Sequence, residues 1–296
     1  MIYQRSKQKS FTLIELLVVI VIIGILAGVI MISTSSSIDK ASFAKAQAFS
    51  STVQNELLSN LVSEWTFDNV SNIGEDTWGN NDAIVYGNPQ LAADCIYREC
   101  LIFDGDGDYL SVPTSSNLYT GPYLTIMFWM KNNLIGNTGI MGKWDYDGGD
   151  YRSWFISADS TYLTFVISDD GTWNNWKNIR TQNSMLSSQS IWTNIVYIFN
   201  EGVGKMFVNG QECPVIIPSS AGTVSKIFSS VGNLEFGRAY SLKQFTGYLD
   251  DIRIYNNALS SSQIKQNYIT GLDSLLSNGN ISKEDYNQRI NELAYE

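Results

Sequence analysis

Gly247-Tyr248-Leu249-Asp250-Asp251-Ile252-Arg253-Ile254-Tyr255-Asn256-Asn257-Ala258-Leu259-Ser260 is the stretch on which the fold turns. It lies in the part of the chain, from Glu64 onward, whose period is two, the spacing of a half-buried strand. On such a strand the adjacent acids Asp250 and Asp251 point to opposite faces, an arrangement unsuited to a shared reaction centre. Ser260 with Gln263 three residues on is a capping box, so the strand runs into a short helix expected to end near Tyr268. Upstream the same period continues from Glu64 onward, through residues 124–130, 162–167 and 191–199, with Gly, Asn, Asp and Ser clusters between them. Lys205-Met206-Phe207-Val208 followed by Asn209-Gly210 is a hairpin signal, because a type I′ turn needs positive φ at both central residues. The expected fold class is mainly β, with about a dozen strands in two antiparallel sheets.

Several strings carry a resemblance in chain order: Glu64-Trp65-Thr66-Phe67-Asp68, residues 95–105, Asp108-Tyr109-Leu110, residues 124–131, Val208-Asn209-Gly210 and the opening string. Together they resemble the laminin G-like, concanavalin A-like jelly roll, over roughly residues 61–268. The resemblance implies a two-sheet sandwich at 63–270, a fold that hosts glucanases, lectins and adhesion modules, so the fold does not choose among them. It also implies a structural calcium ion as the candidate cofactor, held between the opening and closing strand regions by Asp76 in the Asp76-Thr77-Trp78-Gly79-Asn80 loop, Asp251 and Asp68. The same acids read equally well as turn and surface carboxylates. Asp104, Asp106 and Asp108 invite an EF-hand comparison, but the closing Glu is missing and a hairpin turn is expected.

The 296 residues carry a net charge of -10, three cysteines and no histidine. The acidity argues against nucleic acid as a partner, because phosphate neutralisation needs clustered Lys and Arg. Without histidine, Ser-His-Asp and Cys-His catalysis and His-ligated zinc fall away. The paired carboxylates of a retaining glycosidase are missing too, since no Glu-x-Asp-x-Glu string occurs. No catalytic residue is therefore assigned and the chain is read as a non-enzyme. Cys95 and Cys100 are spaced for a disulfide across a tight turn in an exported domain, leaving Cys213 as a buried thiol. Aromatic rings cluster beside Gly, Asp and Asn at Trp144, Tyr146, Trp154, Trp173 and Trp176. On loops these rings would stack on sugar faces; in the other reading they fill the sandwich core.

Residues 11–32 are apolar except for Glu15 and follow a leader carrying Arg5, Lys7 and Lys9. As a helix this segment spans roughly 30 Å, with its N-terminus on the cytoplasmic side. Phe49, Val53, Leu57 and Leu61 recur every four residues, with Leu58 and Val62 widening the stripe, so one long helix over 11–62 is expected, transmembrane then amphipathic. Lys9-Ser10-Phe11-Thr12-Leu13-Ile14-Glu15-Leu16-Leu17-Val18-Val19-Ile20 resembles the leader and first turns of type IV pilins and pseudopilins. The resemblance implies cleavage between Ser10 and Phe11 by a prepilin peptidase, methylation of the new terminus, and assembly through Glu15. Ser10 stands where the family usually has Gly.

The expected domains are therefore a leader at 1–10, the helix at 11–62, the jelly roll at 63–270 and a C-terminal helical hairpin at 271–296. Leu272, Leu275 and Leu276 set the hairpin's spacing, with a stop at Asn278-Gly279 and a restart at Ser282. The expected function is a subunit of a type IV pilus or pilus-like filament that displays an adhesive head. Its partners would be other pilin subunits, the prepilin peptidase, inner-membrane lipid, and a glycan or surface protein. It would lie in the cytoplasmic membrane before assembly and on the cell surface afterwards. A membrane-anchored lectin that does not assemble and a type II secretion pseudopilin are the other readings.

Overall fold

The computed structural model describes residues 57–118, 121–132, 136–144, 150–182 and 191–294. The chain divides into two units, Met1–Thr52 and Val53–Glu296, and the described residues belong to the second. Ser10, Phe11, Glu15, Tyr146 and the long helix as far as residue 56 lie outside them. Among the described residues no helix is long and apolar enough to cross a membrane.

Two sheets face each other. The first runs in the order β13 (Gln211–Cys213), β12 (Val203–Val208), β11 (Thr193–Asn200), β6 (Tyr123–Asn132), β17 (Thr246–Tyr255), β4 (Cys100–Asp104), β3 (Gln90–Ala92), with β1 (Leu61–Trp65) also against β17. The second runs β14 (Val215–Ala221), β10 (Trp176–Thr181), β9 (Leu163–Ser168), β8 (Arg152–Ala158), β7 (Thr138–Trp144), β15 (Leu234–Phe236), β5 (Tyr109–Val112), β2 (Ile84–Tyr86). All pairings are antiparallel except that of the two-residue β16 (Lys243–Gln244) with β7. The strands outnumber the sequence expectation because β2, β3, β13, β15 and β16 are two or three residues long, too short to show a period.

Between the sheets lies one apolar core. Phe128, Met130, Ile195, Tyr197 and Phe199 of the first sheet meet Trp154, Ile156, Phe165 and Ile167 of the second. The rings of Phe165 and Tyr197 approach to 5.3 Å across it. Asn209 and Gly210 have φ of 52° and 78°, the left-handed pair that the β12–β13 hairpin requires.

The outer face of the first sheet is also apolar, at Met127, Trp129, Val196 and Phe207. Leu57 and Leu259 cover Met127, Val196 and Phe207 together with two helices, α1 (Ser261–Ser277) and α2 (Lys283–Ala294). Tyr268 of α1 stacks on Trp129 at 5.6 Å, and Leu272, Leu275 and Leu293 complete the same cluster. The capping box forms as expected, Ser260 Oγ accepting from the Gln263 amide while the Gln263 side chain accepts from the Ser260 amide. The helix does not stop near Tyr268. Gly271 lies against the Trp129 indole with no room for a side chain, so α1 runs on over the sheet to Ser277. The expected boundary at residue 270 falls inside this helix.

Three other expectations change. Leu61 and Val62, read as the end of the long helix, open strand β1, where Leu61 pairs with Tyr255. The Asp104–Asp108 turn is not a hairpin, because β4 and β5 belong to different sheets and the turn carries the chain from one to the other. Asp250 and Asp251 do not sit on a regular strand: Asp251 has φ 53° at a bulge against β6, and both acids are buried.

Candidate functional site

The second sheet's outer face carries the aromatic residues. On β5, β15, β8, β9 and β10 the period of two sends Leu110, Leu234, Phe236, Trp154, Phe165 and Ile179 into the core. Their neighbours Tyr109, Glu235, Phe155, Val166, Trp176 and Asn178 therefore face the other way. Trp144 at the end of β7 is the floor of a ring cluster there. Its indole meets Phe155 edge-on at 4.9 Å, Trp173 at 5.3 Å and Tyr240 at 6.2 Å. Trp173 in turn meets Trp176 at 5.4 Å, and the Arg152 guanidinium lies 5.3 Å from the Trp173 ring centroid. Trp144 is 5% exposed, while Trp173 and Tyr240 above it are each 39% exposed. Tyr240 holds φ 52°, a left-handed conformation that costs a residue with a bulky side chain on the order of 1 kcal/mol. That conformation places its ring on Phe155 at 5.6 Å.

Beside the cluster opens a cleft of about 660 Å³, lined by Trp144, Asn233, Glu235, Arg238, Tyr240 and Gln244 among others. Trp144 Nε1, Arg152 Nε, Asn178 Oδ1 and Arg180 Nε are buried on this side of the sheet and find no hydrogen-bond partner among the described residues. These atoms have under 1 Å² of exposed surface, so what the cleft presents to solvent is the rings of Trp173 and Tyr240 and the polar side chains that line it. On the core side of β7, the Lys143 ammonium is buried, donating to the Gly232 carbonyl at 2.5 Å and to Thr114 Oγ1 at 3.3 Å. Burial lowers it to about 8.

Of the aromatic residues singled out from the sequence, Trp144, Trp173 and Trp176 come together here. Trp154 does not. It faces the core, 1% exposed and 6.3 Å from Phe165, because it sits one residue out of phase with Phe155 on the same strand. Tyr240 and Phe155 complete the cluster and carry no sequence signal that sets them apart.

At the opposite side of the sandwich, Cys95 and Cys100 are joined by a disulfide, and Cys213 is a buried thiol outside it. The loop they close docks the helices, with the carbonyls of Cys95, Ile96 and Tyr97 accepting from Asn280, Ser274 and Asn278. The Asp250 carboxylate accepts the Ile96 amide at 2.8 Å and leaves its Oδ1 unpaired. Burial, and then the charge of Asp251, hold Asp250 well above the ordinary carboxylate range. Asp251, pushed up to about 6 by burial, lies 2.8 Å from Arg253 Nη2, whose Nε is 2.6 Å from Glu64.

Asp68, Asp76 and Asp251 do not assemble as calcium ligands among the described residues. Asp76 accepts four backbone amides, those of Glu64, Trp78, Gly79 and Asn81, and so ties the loop together with the lone pairs that a cation needs. Asp68 accepts the Glu99 amide, and Arg253 already supplies the positive charge beside Asp251. The donor set does not fit calcium. Cys95, Cys100 and Asp250 do approach within metal-ligating reach of one another, but the two sulfurs are bonded together and are not thiolates.

Comparison with known proteins gives relatives of low identity. The adhesion G-protein coupled receptor V1 of Danio rerio is 21% identical over 173 residues, which is 57% of this chain and 3% of the receptor; the chain thus spans a small fraction of that relative's length. Domain 4 of AbnA, a GH43 extracellular arabinanase from Geobacillus stearothermophilus, solved with arabinotriose, superposes with a TM-score of 0.53 at 19% identity. It covers 70% of this chain and 97% of that one. The binding domain of Paraclostridial Mosquitocidal Protein 1 gives 0.58 at 18% identity, over 73% and 53% of the two chains. These likenesses are of fold. Residues 5–31 match the prokaryotic N-terminal methylation motif, the type IV pilin signal. Residues 104–265 match the other family model, and the chain accordingly belongs to the concanavalin A-like lectin/glucanases superfamily.

Proposed function

We propose that this protein is a structural subunit of a type IV pilus or pilus-like filament, assembled through its N-terminal segment and displaying the sandwich outside the cell to hold glycans or surface proteins. The observation that carries the adhesive half is the cluster of Trp144, Trp173, Trp176 and Tyr240 beside a cleft lined by Asn233, Glu235, Arg238 and Gln244. Aromatic faces bind the C–H side of sugar rings, and amide, carboxylate and guanidinium groups on a cleft wall bind their hydroxyls. The assembly half is supported by the methylation motif over residues 5–31, which contains a lone acid, Glu15, in an apolar run. Cleavage before Phe11 frees an amine with a pKa of about 7.7 to 8, and a lone carboxylate in lipid is best neutralised by such an amine on a neighbouring subunit.

The partners in this reading are other pilin subunits, a prepilin peptidase and inner-membrane lipid. The chain sits in the cytoplasmic membrane before assembly and on the cell surface afterwards. Mass spectrometry of isolated surface filaments is expected to give Phe11 as the first residue, whereas a mature chain that still carries residues 1–10 would overturn assembly. A glycan array probed with the intact protein is expected to show binding that Trp173→Ala removes. Silence across the array would overturn the glycan reading.

A further inference from the structure

Cys95, Cys100 and Asp250 meet where the end of β3, the start of β4 and the middle of β17 come together. One ligand atom from each, two sulfurs and a carboxylate oxygen, lie within 4.8 Å of one another, and all three residues are fully buried. A fourth donor faces them: the Ala92 carbonyl oxygen stands 2.9 Å from Cys95 Sγ and 3.9 Å from Cys100 Sγ. A disulfide has no S–H to give, so in this form neither oxygen finds a hydrogen-bond donor in the sulfurs. Asp250 shows the consequence. Its Oδ2 accepts the Ile96 amide at 2.8 Å, while its Oδ1 finds no partner among the described residues. Buried carboxylate oxygens normally have a partner, and one without calls for an ion or a second state of its surroundings.

We infer that before oxidation this cluster is a structural zinc site, with Cys95 Sγ, Cys100 Sγ, Asp250 Oδ1 and the Ala92 carbonyl as donors, and that zinc and the disulfide are alternative closures of the same loop. Two thiolates and two oxygens make a tetrahedral set for a borderline-soft cation, whereas calcium and magnesium take oxygens alone. Complete burial suits a structural metal, which needs no open position, and argues against a disulfide kept for exchange, which needs access. The Ile96 amide on Oδ2 holds the carboxylate as outer-shell bonds do at metal sites, and leaves Oδ1 for the metal. No reductant is required, because the chain is synthesised with both thiols free. Binding is redox-neutral: two S–H bonds give two Zn–S bonds, and those protons, with the one that a protonated Asp250 carries, go to solvent. What the metal fixes is the loop, whose carbonyls at Cys95, Ile96 and Tyr97 accept from Asn280, Ser274 and Asn278 and so hold the C-terminal helices.

The test takes the full chain in detergent micelles, reduces it with a phosphine under argon, and titrates it with cobalt(II) and then zinc. A thiolate-to-cobalt charge-transfer band is expected to saturate at one cobalt per chain, to be bleached by zinc, and to be missing from the oxidised chain. Asp250 lies 154 residues from Ile96 along the chain, so only the folded sandwich brings it to the cysteines. Asp250→Asn is therefore expected to weaken cobalt binding by about tenfold or more, Cys100→Ser to abolish the band, and Cys213→Ser to leave it unchanged. Zinc is expected to raise the thermal midpoint of the reduced chain and not that of the oxidised one, with near-ultraviolet circular dichroism checking the packing of every form. X-ray absorption at the zinc edge of the wild type reads the site without any substitution, and a shell of two sulfurs and two oxygens is expected. No band in the reduced chain, or a band indifferent to Asp250→Asn in a variant that keeps its packing, would overturn the inference. So would a shell of four sulfurs, which puts the metal between two chains, a band lost with Cys213→Ser, or a reduced chain that unfolds and does not refold on zinc.

Discussion

Two buried titratable residues give the molecule a pH dependence that can be signed. Asp251 is held at about 6 in the folded chain, against an ordinary value near 3.9 once unfolded. Between these values the folded state binds more protons, so the contribution of Asp251 is most favourable below about 4 and is lost as pH rises through 6, by about 3 kcal/mol as an order of magnitude. Asparagine keeps the shape and tolerates the left-handed φ at this bulge. In urea titrations Asp251→Asn should therefore gain on the wild type as pH goes from 4 to 7, and a stability difference that stays constant with pH would refute the assignment. Lys143 works the other way, because burial lowers it to about 8 and the unfolded chain binds the extra proton between there and about 10.4. Its contribution grows with rising pH across that window, and Lys143→Met should remove the slope. Neither behaviour is legible in the sequence, where Asp251 and Lys143 look like surface charges. Their burial is set by the bulge in β17 and by the Gly232 carbonyl, a long way off along the chain.

At the scale of elements, what could be read locally was read well, and what depends on which face is inside could not be. Asn209-Gly210 and the Ser260–Gln263 box are decided within four residues, and both form. Strand β8 is different: six of its seven residues are buried, so a period of two cannot say whether Trp154 or Phe155 faces the core. The same ambiguity hid the role of the C-terminal helices, since Trp129 gives no sign that it faces outward until α1 is seen on top of it. Ser260→Ala is expected to cost about 1 kcal/mol through loss of the cap, measured as a drop in thermal or urea midpoint. Ending the chain at residue 270 should cost far more. It strips Leu272, Leu275 and Leu293 from Trp129 and Trp192, and the shortened protein should bind hydrophobic dye or aggregate. A truncated chain as stable as the full one would show that these helices are ornaments on the sandwich.

For the molecule as a whole, the chain joins a methylation motif at residues 5–31 to a concanavalin A-like fold that follows it, and the proposed roles are physically separable. In that proposal assembly depends on a buried charge finding its counter-charge in lipid, whereas ligand capture depends on ring faces and cleft-lining polar groups in water. No described residue is asked to serve both. Substitutions should therefore sort cleanly. Glu15→Ala is expected to leave membrane insertion and the glycan affinity of the extracted protein unchanged while removing the chain from surface filaments. Trp173→Ala is expected to leave filament number and length unchanged while weakening retention on immobilised glycan by tenfold or more, because a 39% exposed ring can be lost without opening the core. Electron microscopy counts filaments and a column of immobilised glycan measures retention. Filaments lost by Trp173→Ala, with the isolated protein still folded, would mean that the aromatic face packs against a neighbouring subunit, and the cluster would then be an assembly contact instead of a ligand site.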